Sequence, residues 1–310
     1  MSTVERLATL LFALSALSGP GGPAASPEVA ALRTQAEKLR PLHERKHPPQ
    51  PGEWLDKHRE AGQSFDAYLA SRPNRPDARH KILYVQPLGR PNPVEQKLMD
   101  ATSDLLGRFF NVPVTVLPAL GLDVIPAEAR RVHPEWNVRQ ILSTHVLRML
   151  ETRRPDDALA VIALTTADLW PGEGWNFVFG QASLQNRVGV WSTARLGDPN
   201  TEYDLVLLRT LKTALHETGH MLGIPHCTKY ECGMNGSNHL PESDSQPLWF
   251  CPDDECKLWW ACRDEPGPRY ARLAAFADAH GMKAEADFWR RSAQAVAASK
   301  PVESTRAKRP

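Results

Sequence analysis

One short segment limits what this chain can fold into more than any other: residues 216–226 read HETGHMLGIPH. His216 and His220 are four residues apart, so on a helix both side chains leave from the same face. Gly223 allows the backbone to turn sharply out of that helix, because glycine has no Cβ to clash at positive φ. After the turn His226 can return to the same side. The segment therefore predicts three imidazole nitrogens around one metal ion.

The type and number of these side chains favour a catalytic zinc. Three protein ligands with one open position are typical of catalytic zinc sites, whereas structural sites are closed by four ligands. Glu217 directly follows the first histidine, where its carboxylate can act as general base on a zinc-activated water. The competing interpretation is three surface histidines on an amphipathic helix. Five fixed residues at set spacing arise by chance in a chain of this size with a probability on the order of 10⁻⁴, which argues against that alternative.

The cysteines are confined to one region, because all five lie between Cys227 and Cys262. This clustering does not fit a disulfide framework spread over a small secreted fold. Cys227, Cys232, Cys251 and Cys256 form two pairs, which can close a tetrahedral structural zinc site. Two local disulfides are the alternative, which gains weight if the protein is exported. We favour a second zinc, with Cys262 as an odd thiol or a substitute ligand.

The segment after the third histidine extends the motif to HETGHMLGIPHCTKYECGMNGSN. This string resembles the signature of the archaemetzincins, which is HExxHxxGxxHC, four residues, C-x-M, a spacer and a C-x-x-C pair. YVQPLG at 84–89 also looks like that family, and the resemblance covers about residues 54–292. It implies metzincin-type peptidase activity, with Met234 in a tight turn as a hydrophobic floor below the metal. It also implies a four-thiolate second zinc, although here four residues rather than two separate Cys251 from Cys256.

The remaining sequence predicts an α/β (α+β) fold. Short apolar runs alternate with segments of helical periodicity, which favours a mixed twisted sheet with crossover helices. Together with the resemblance to archaemetzincins, this alternation of strands and helices predicts a metzincin-like zincin catalytic domain. The domain is expected to have an active-site helix and a small C-terminal subdomain with the cysteine cluster. The predicted strands are Ile82–Val85, Val114–Leu117, Ala158–Leu164, Phe177–Phe179 and Val188–Ser192. The predicted helices are Val29–Arg40, Trp54–Leu69, Val94–Phe110, Val138–Leu150, Thr201–Gly223 (with a capping box of Thr201 and Asp204), Arg269–Ala279 and Lys283–Ser299.

Composition divides the chain into four parts. Residues 1–26 form a possible signal peptide or a disordered tail, because the apolar run Leu7–Leu17 follows a basic residue and precedes small residues. Residues 27–80 are a polar, Pro-rich and partly helical preface. Residues 81–299 form the archaemetzincin-like catalytic domain, and 300–310 are a basic tail. Export and a cytoplasmic location both remain open.

Charge and hydropathy exclude two classes of function. The 37 Lys and Arg residues nearly balance the 36 Asp and Glu residues, for a net charge of +1. This balance leaves no strongly basic surface for nucleic acid. In the sequence, no apolar run approaches the roughly 20 residues that span a membrane.

The sequence therefore predicts a monomeric zinc metallopeptidase that hydrolyses bonds of a peptide or protein substrate, with Glu217 as general base. The segment Phe177–Ser192 is expected to supply an edge strand above the cleft, and the resemblance to metzincins implies that an extended substrate adds to this strand by backbone hydrogen bonds. Two alternatives stay open. One is a catalytically retired zinc-binding scaffold that binds protein partners, and the other is a zinc hydrolase that acts on a non-peptide amide or ester.

Overall fold

The computed structural model describes residues 26–298. The predicted signal segment, apart from Ser26, and the predicted basic tail lie outside the described residues. The helices are α1 (Pro27–Leu39), α2 (Trp54–Lys57), α3 (Phe65–Ala70), α4 (Pro93–Phe110), α5 (Ser143–Arg153), α6 (Tyr203–Met221), α7 (Leu240–Ser245), α8 (Pro252–Cys262), α9 (Pro266–Ala279) and α10 (Lys283–Ala297). The strands are β1 (Ile82–Leu88), β2 (Val114–Val116), β3 (Arg130–Val132), β4 (Arg139–Leu142), β5 (Ala158–Thr165), β6 (Asp168–Trp170), β7 (Gly180–Ala182) and β8 (Val188–Ser192).

A five-stranded sheet in the order β2-β1-β5-β8-β7 forms the centre of the fold. Its first four strands run parallel, and β7 pairs antiparallel with β8 at the edge. β5 reads ALAVIALT with every side chain buried, which is typical of a parallel strand covered on both faces. A second sheet has the order β3-β4-β6. The mixed α/β architecture predicted from the sequence is therefore confirmed.

Helices cover both faces of the central sheet. α4 and α6 contribute Leu105 and Leu211 to one buried cluster, and α5 contributes Val146 and Leu150 to another. α6 also contacts β5, β7 and β8, so the helix that carries HETGH lies against the edge of the sheet. Among residues 26–298, no helix is both long enough and apolar enough to cross a membrane.

Two predicted elements differ from the structure: a helix whose first residues form a strand, and a predicted strand that is absent from the described elements. The segment predicted as a helix from Val138 is split, because Ile141 and Leu142 pair with β6 before α5 begins at Ser143. Three apolar residues spaced like a helix face also fit a short strand, and periodicity alone does not separate the two. Phe177–Phe179 is not a strand, and the edge strand begins only at Gly180.

The start of α6 also differs from the prediction. The helix begins at Tyr203, and its N-cap, Glu202, makes no side-chain capping bond. The Thr201 hydroxyl donates instead to the carbonyl of Asp198 at 3.3 Å. The capping box expected from Thr201 and Asp204 is therefore wrong, because the turn before the helix already occupies that hydroxyl.

The preface packs against the C-terminal helices, since α1 contacts α8 and α10. The helix predicted at Trp54–Leu69 is two short helices, α2 and α3, joined by residues 58–64 without regular secondary structure. Gly62 in this connection has a φ of 68°, which a right-handed helix does not accept. Residues 58–64 therefore run past the end of α6 as an irregular connection.

Candidate metal centre and cleft

The last two turns of α6 and the turn after it bring three histidines together. His216 and His220 lie on one face of the helix, with their Nε2 atoms 3.0 Å apart. The ring centroid of His226 is 5.2 Å from that of His216 and 4.9 Å from that of His220. One ring nitrogen from each histidine lies within 4.8 Å of the others. The structure thus brings together the three side chains predicted to bind one ion.

Gly223 makes the turn that returns His226 to the helix face. Its φ of 81° lies in the left-handed region that favours glycine. The N–H of Ile224 donates to the carbonyl of Gly219 at 3.1 Å and closes the helix end. A Cβ at Gly223 would also lie 2.9 Å from the Cβ of Pro73. Both the backbone conformation and the close packing therefore require glycine here.

Hydrogen bonds fix the tautomers of two histidines. His216 Nδ1 donates to the carbonyl of Gly233 at 2.9 Å, and His220 Nδ1 donates to that of Ile224 at 2.7 Å. Because a carbonyl oxygen only accepts, both Nε2 atoms present lone pairs. Burial lowers the pKa of His216 to about 3 and that of His220 well below its ordinary value, so both rings are neutral. Two facing lone pairs repel, and a shared cation removes that repulsion, so these donors fit Zn²⁺.

The third histidine is held by a side chain that no sequence motif indicated. Both carboxylate oxygens of Glu60, in the connection between α2 and α3, lie 2.9 and 3.0 Å from His226 Nδ1. The carboxylate accepts the Nδ1 proton, which leaves Nε2 of His226 for a metal. Glu60 and His226 are separated by 166 residues, so no local spacing connects them.

Glu217 is the carboxylate beside this cluster. Its side chain lines the cleft and is 6% exposed. A Cβ at Gly180 of β7 would lie 2.5 Å from Glu217 Oε1, so a glycine is needed where the edge strand passes the carboxylate. Burial raises the pKa of Glu217 to about 8. A cleft carboxylate with such a pKa is suited to proton transfer.

The histidine cluster lies at the floor of a cleft of about 440 Å³. Residues Phe177–Ala182 line it, and β7 has no strand partner on its other side within the described sheet. An edge strand thus lies at the cleft as predicted, although it begins later in the chain. Trp54 lies beside the histidine cluster, with its ring 5.0 Å from that of His226. Further lining side chains include Trp175, Lys212, Asn238 and Gln246.

Met234 packs against α6 directly below the histidines. It is fully buried, and a Cβ at Gly219, next to His220, would lie 2.5 Å from its Sδ. The preceding residue, Gly233, provides the carbonyl that fixes His216. Met234 therefore packs against α6 at Gly219, and its role as the floor of a metal site stays a prediction.

Three of the four predicted thiol ligands converge beyond this turn. Cys227 Sγ is 3.6 Å from Cys251 Sγ, and Cys232 belongs to the same buried group. The fourth member is Asp254, whose Oδ2 is 3.4 Å from the Sγ atoms of both Cys232 and Cys251. All the ligand atoms lie within 4.8 Å of one another. None of the five cysteines, all among the described residues, forms a disulfide.

Cys256 is not part of this group, which differs from the ligand set predicted from the sequence. Cys251 is the N-cap of α8, and Asp254 follows three residues later in the first turn. Cys256 is five residues from Cys251, a rotation of about 140° at 3.6 residues per turn, so it leaves from another side of the helix. The string Cys251-Pro-Asp-Asp254 keeps the C-x-x-C spacing with aspartate in the second place, and this is the signal that indicates Asp254.

Lys257 holds the other oxygen of Asp254. Its Nζ donates to Asp254 Oδ1 at 2.7 Å, and both side chains are almost fully buried. This ion pair leaves Oδ2 directed at the sulfur atoms. Cys262, at the end of α8, is buried outside the group.

Known proteins have sequences related to that of this chain. Residues 117–258 match the model of Peptidase family M54. The chain is 31% identical over 286 residues to archaemetzincin-2 of Rattus norvegicus, which covers 81% of this chain and 79% of that protein. It is 34% identical over 176 residues to the archaemetzincin of Archaeoglobus fulgidus, which covers 57% of this chain and 98% of that protein. The crystal structure of archaemetzincin from that organism, complexed with malonate, matches with a TM-score of 0.47 at 31% identity and covers 57% of this chain and 99% of that one. The chain therefore belongs to the archaemetzincins, peptidase family M54, a family of zinc metallopeptidases.

Proposed function

We propose that the protein hydrolyses bonds of peptide or protein substrates, with His216, His220 and His226 as zinc ligands and Glu217 as general base. The observation that carries this proposal is a cleft carboxylate beside three converging imidazoles, two of which have their tautomers fixed. Zinc bound there supplies a Lewis acid that polarises the scissile carbonyl and lowers the pKa of water to about 7.

Glu217 is the group of this chain that moves the proton. Its carboxylate takes a proton from the attacking water and later delivers it to the leaving amine. Burial raises the pKa of Glu217 to about 8, and a base whose pKa lies near the working pH also serves as an acid. A bound cation acts in the opposite direction and lowers this pKa.

β7 orients the substrate in this proposal. Its free edge and the preceding residues line the cleft, and Gly180 lies against Glu217. An extended peptide can add to this edge by backbone hydrogen bonds. Its carbonyl groups then lie along the histidine cluster. Specific side chains are then selected by the remaining cleft walls.

We also propose a structural zinc bound by Cys227, Cys232, Cys251 and Asp254. Three thiolates and one carboxylate are ligands that zinc accepts in a closed tetrahedral site. Lys257 fixes the orientation of the aspartate from outside the site. Because Cys227 directly follows His226, such a site also stabilises the loop that carries the third catalytic ligand.

Metal analysis tests both sites on one sample. Zinc per chain is measured by mass spectrometry on protein purified with added zinc, together with a count of free thiols. Two zinc ions and no disulfide are expected. One zinc with two disulfides would reject the structural site and keep the catalytic one. No zinc would contradict the proposed activity.

Glu60→Gln is expected to weaken zinc binding at the histidine site by about 10-fold or more. The amide still reaches His226, but it lacks the negative charge that makes the imidazole a stronger donor. The zinc dissociation constant is measured by competition with a chelator at fixed pH. Glu128→Gln, an exposed carboxylate on another segment, is the matched control. Equal affinity of both variants and the unaltered protein would contradict this contribution of Glu60.

A further inference from the structure

A buried lysine lies in the wall of the cleft. Lys212 is on α6 one helical turn before His216, about 6 Å along the axis at 1.5 Å per residue. It lines the cleft although only 9% of the residue is exposed. The proposed catalytic mechanism makes no use of it.

Backbone carbonyls, rather than a carboxylate, are the hydrogen-bond partners of this lysine among residues 26–298. Its Nζ donates to the backbone carbonyls of Asp244 at 2.9 Å and Ser243 at 3.4 Å. The Asp244 carboxylate itself pairs with Arg209 at 2.6 Å. Within the described residues, Lys212 has no acidic group at ion-pair distance. Buried lysines are almost always paired, whereas Asp244 and Glu285 act on this cation only from beyond ion-pair distance.

The surroundings of Lys212 are suited to a polar ligand. An ammonium group has three N–H donors, and two carbonyls account for two of them. Ser243 and Gln246 line the same cleft, and Gln246 already donates to the carbonyl of Gly236 at 2.9 Å. A substrate group that reaches Lys212 through the cleft thus meets one N–H donor beyond the two that the carbonyls accept, on an ammonium group that no described carboxylate contacts directly.

We propose that Lys212 is a specificity-determining residue that binds a carboxylate of the substrate. This inference rests on the proposed peptidase function and assigns the substrate class: peptides with an acidic group next to the scissile bond. Two sources supply that chemistry, an Asp or Glu side chain and the C-terminal carboxylate of a short peptide. A charge-assisted hydrogen bond formed in the cleft favours either one over its neutral amide by about 10-fold or more.

Matched peptides test the preference on the intact protein. Quenched fluorescent peptides that differ only by Glu or Gln at one position, or by a C-terminal acid or amide, are compared by kcat/KM. The unaltered protein is expected to prefer one acidic form by about 10-fold or more. Lys212→Met should reduce that preference to about 2-fold or less, Lys212→Arg should keep most of it, and the exposed control Lys81→Met should change nothing.

Two results would overturn the inference. The first is an equal kcat/KM of the unaltered protein for the acid and amide peptides. The second is a Lys212→Met variant that keeps the preference for the acidic peptide. The first result is obtained with the unaltered protein alone. It therefore overturns the inference even if the Lys212→Met variant does not fold. Binding of the unquenched peptides to zinc-loaded Glu217→Gln protein, measured by fluorescence anisotropy, repeats the comparison without turnover. If no peptide is cleaved, the proposed function fails, and the same acid-against-amide criterion in the binding experiment then decides on Lys212.

Discussion

Glu217→Gln is expected to lower kcat for peptide hydrolysis by about 10²–10⁴-fold while the protein keeps its zinc. Glutamine has the same shape as glutamate, but it cannot take a proton from water at neutral pH. Glu217 is not among the three side chains that converge as ligands, so metal content should stay unchanged. Cleavage of a fluorogenic peptide mixture and zinc per chain are measured on the same preparation.

The control for this variant is Glu202→Gln. Glu202 lies at the opposite end of α6 and makes no side-chain capping bond. The Glu202→Gln variant should therefore have the same kcat as the unaltered protein. Equal activity of Glu217→Gln and the unaltered protein would contradict the assignment of Glu217 as base. Cleavage of small amides or esters without any peptide cleavage would favour the non-peptide hydrolase instead. Zinc binding with no hydrolysis of any substrate would favour the retired scaffold.

The histidine cluster could be predicted because its geometry is local. The spacing of His216 and His220 fixes their shared helix face, and Gly223 fixes the turn, whatever the rest of the chain does. The buried strand β8 was predicted with the same bounds for a similar reason, since a short apolar run between polar segments suffices.

The position of Glu60 beside the histidine cluster could not be predicted, because it depends on a long-range contact. Glu60 reaches His226 only through the path of the connection between α2 and α3 across the end of α6. Nothing in the composition of that connection separates Glu60 from other exposed acidic residues. The same limit applies to β4, whose strand conformation is decided by its pairing with β6 rather than by its own apolar spacing.

Lys212 illustrates a third case, in which the type of side chain alone predicts the wrong surroundings. A lysine in an amphipathic helix is expected on the solvent face. Here the segment 243–244 covers it and supplies backbone carbonyls, so the cation is buried beside the cleft. Only the tertiary position of α7 reveals this.

Asp254→Ala is expected to remove the structural zinc and to lower the free energy of unfolding by about 3–5 kcal/mol. The variant deletes the carboxylate that faces Cys232 and Cys251, and it leaves the Lys257 ammonium buried without its anion. Zinc per chain should fall from two to one, because the histidine cluster does not include Asp254. Urea unfolding of the zinc-loaded proteins measures the loss of stability.

Cys256→Ala and Asp254→Cys separate a ligand from a packing residue at this site. Cys256 leaves α8 on another side, so its alanine variant should keep both zinc ions and lose only about 1 kcal/mol of packing. Asp254→Cys restores the C-x-x-C spacing and should keep the second zinc, because a thiolate both binds zinc and pairs with Lys257. In cobalt-substituted protein the thiolate charge-transfer absorption should then exceed that of the unaltered chain. If Cys256→Ala loses the second zinc while Asp254→Ala keeps it, the four-thiolate set predicted from the sequence is correct and the aspartate is only a partner of Lys257.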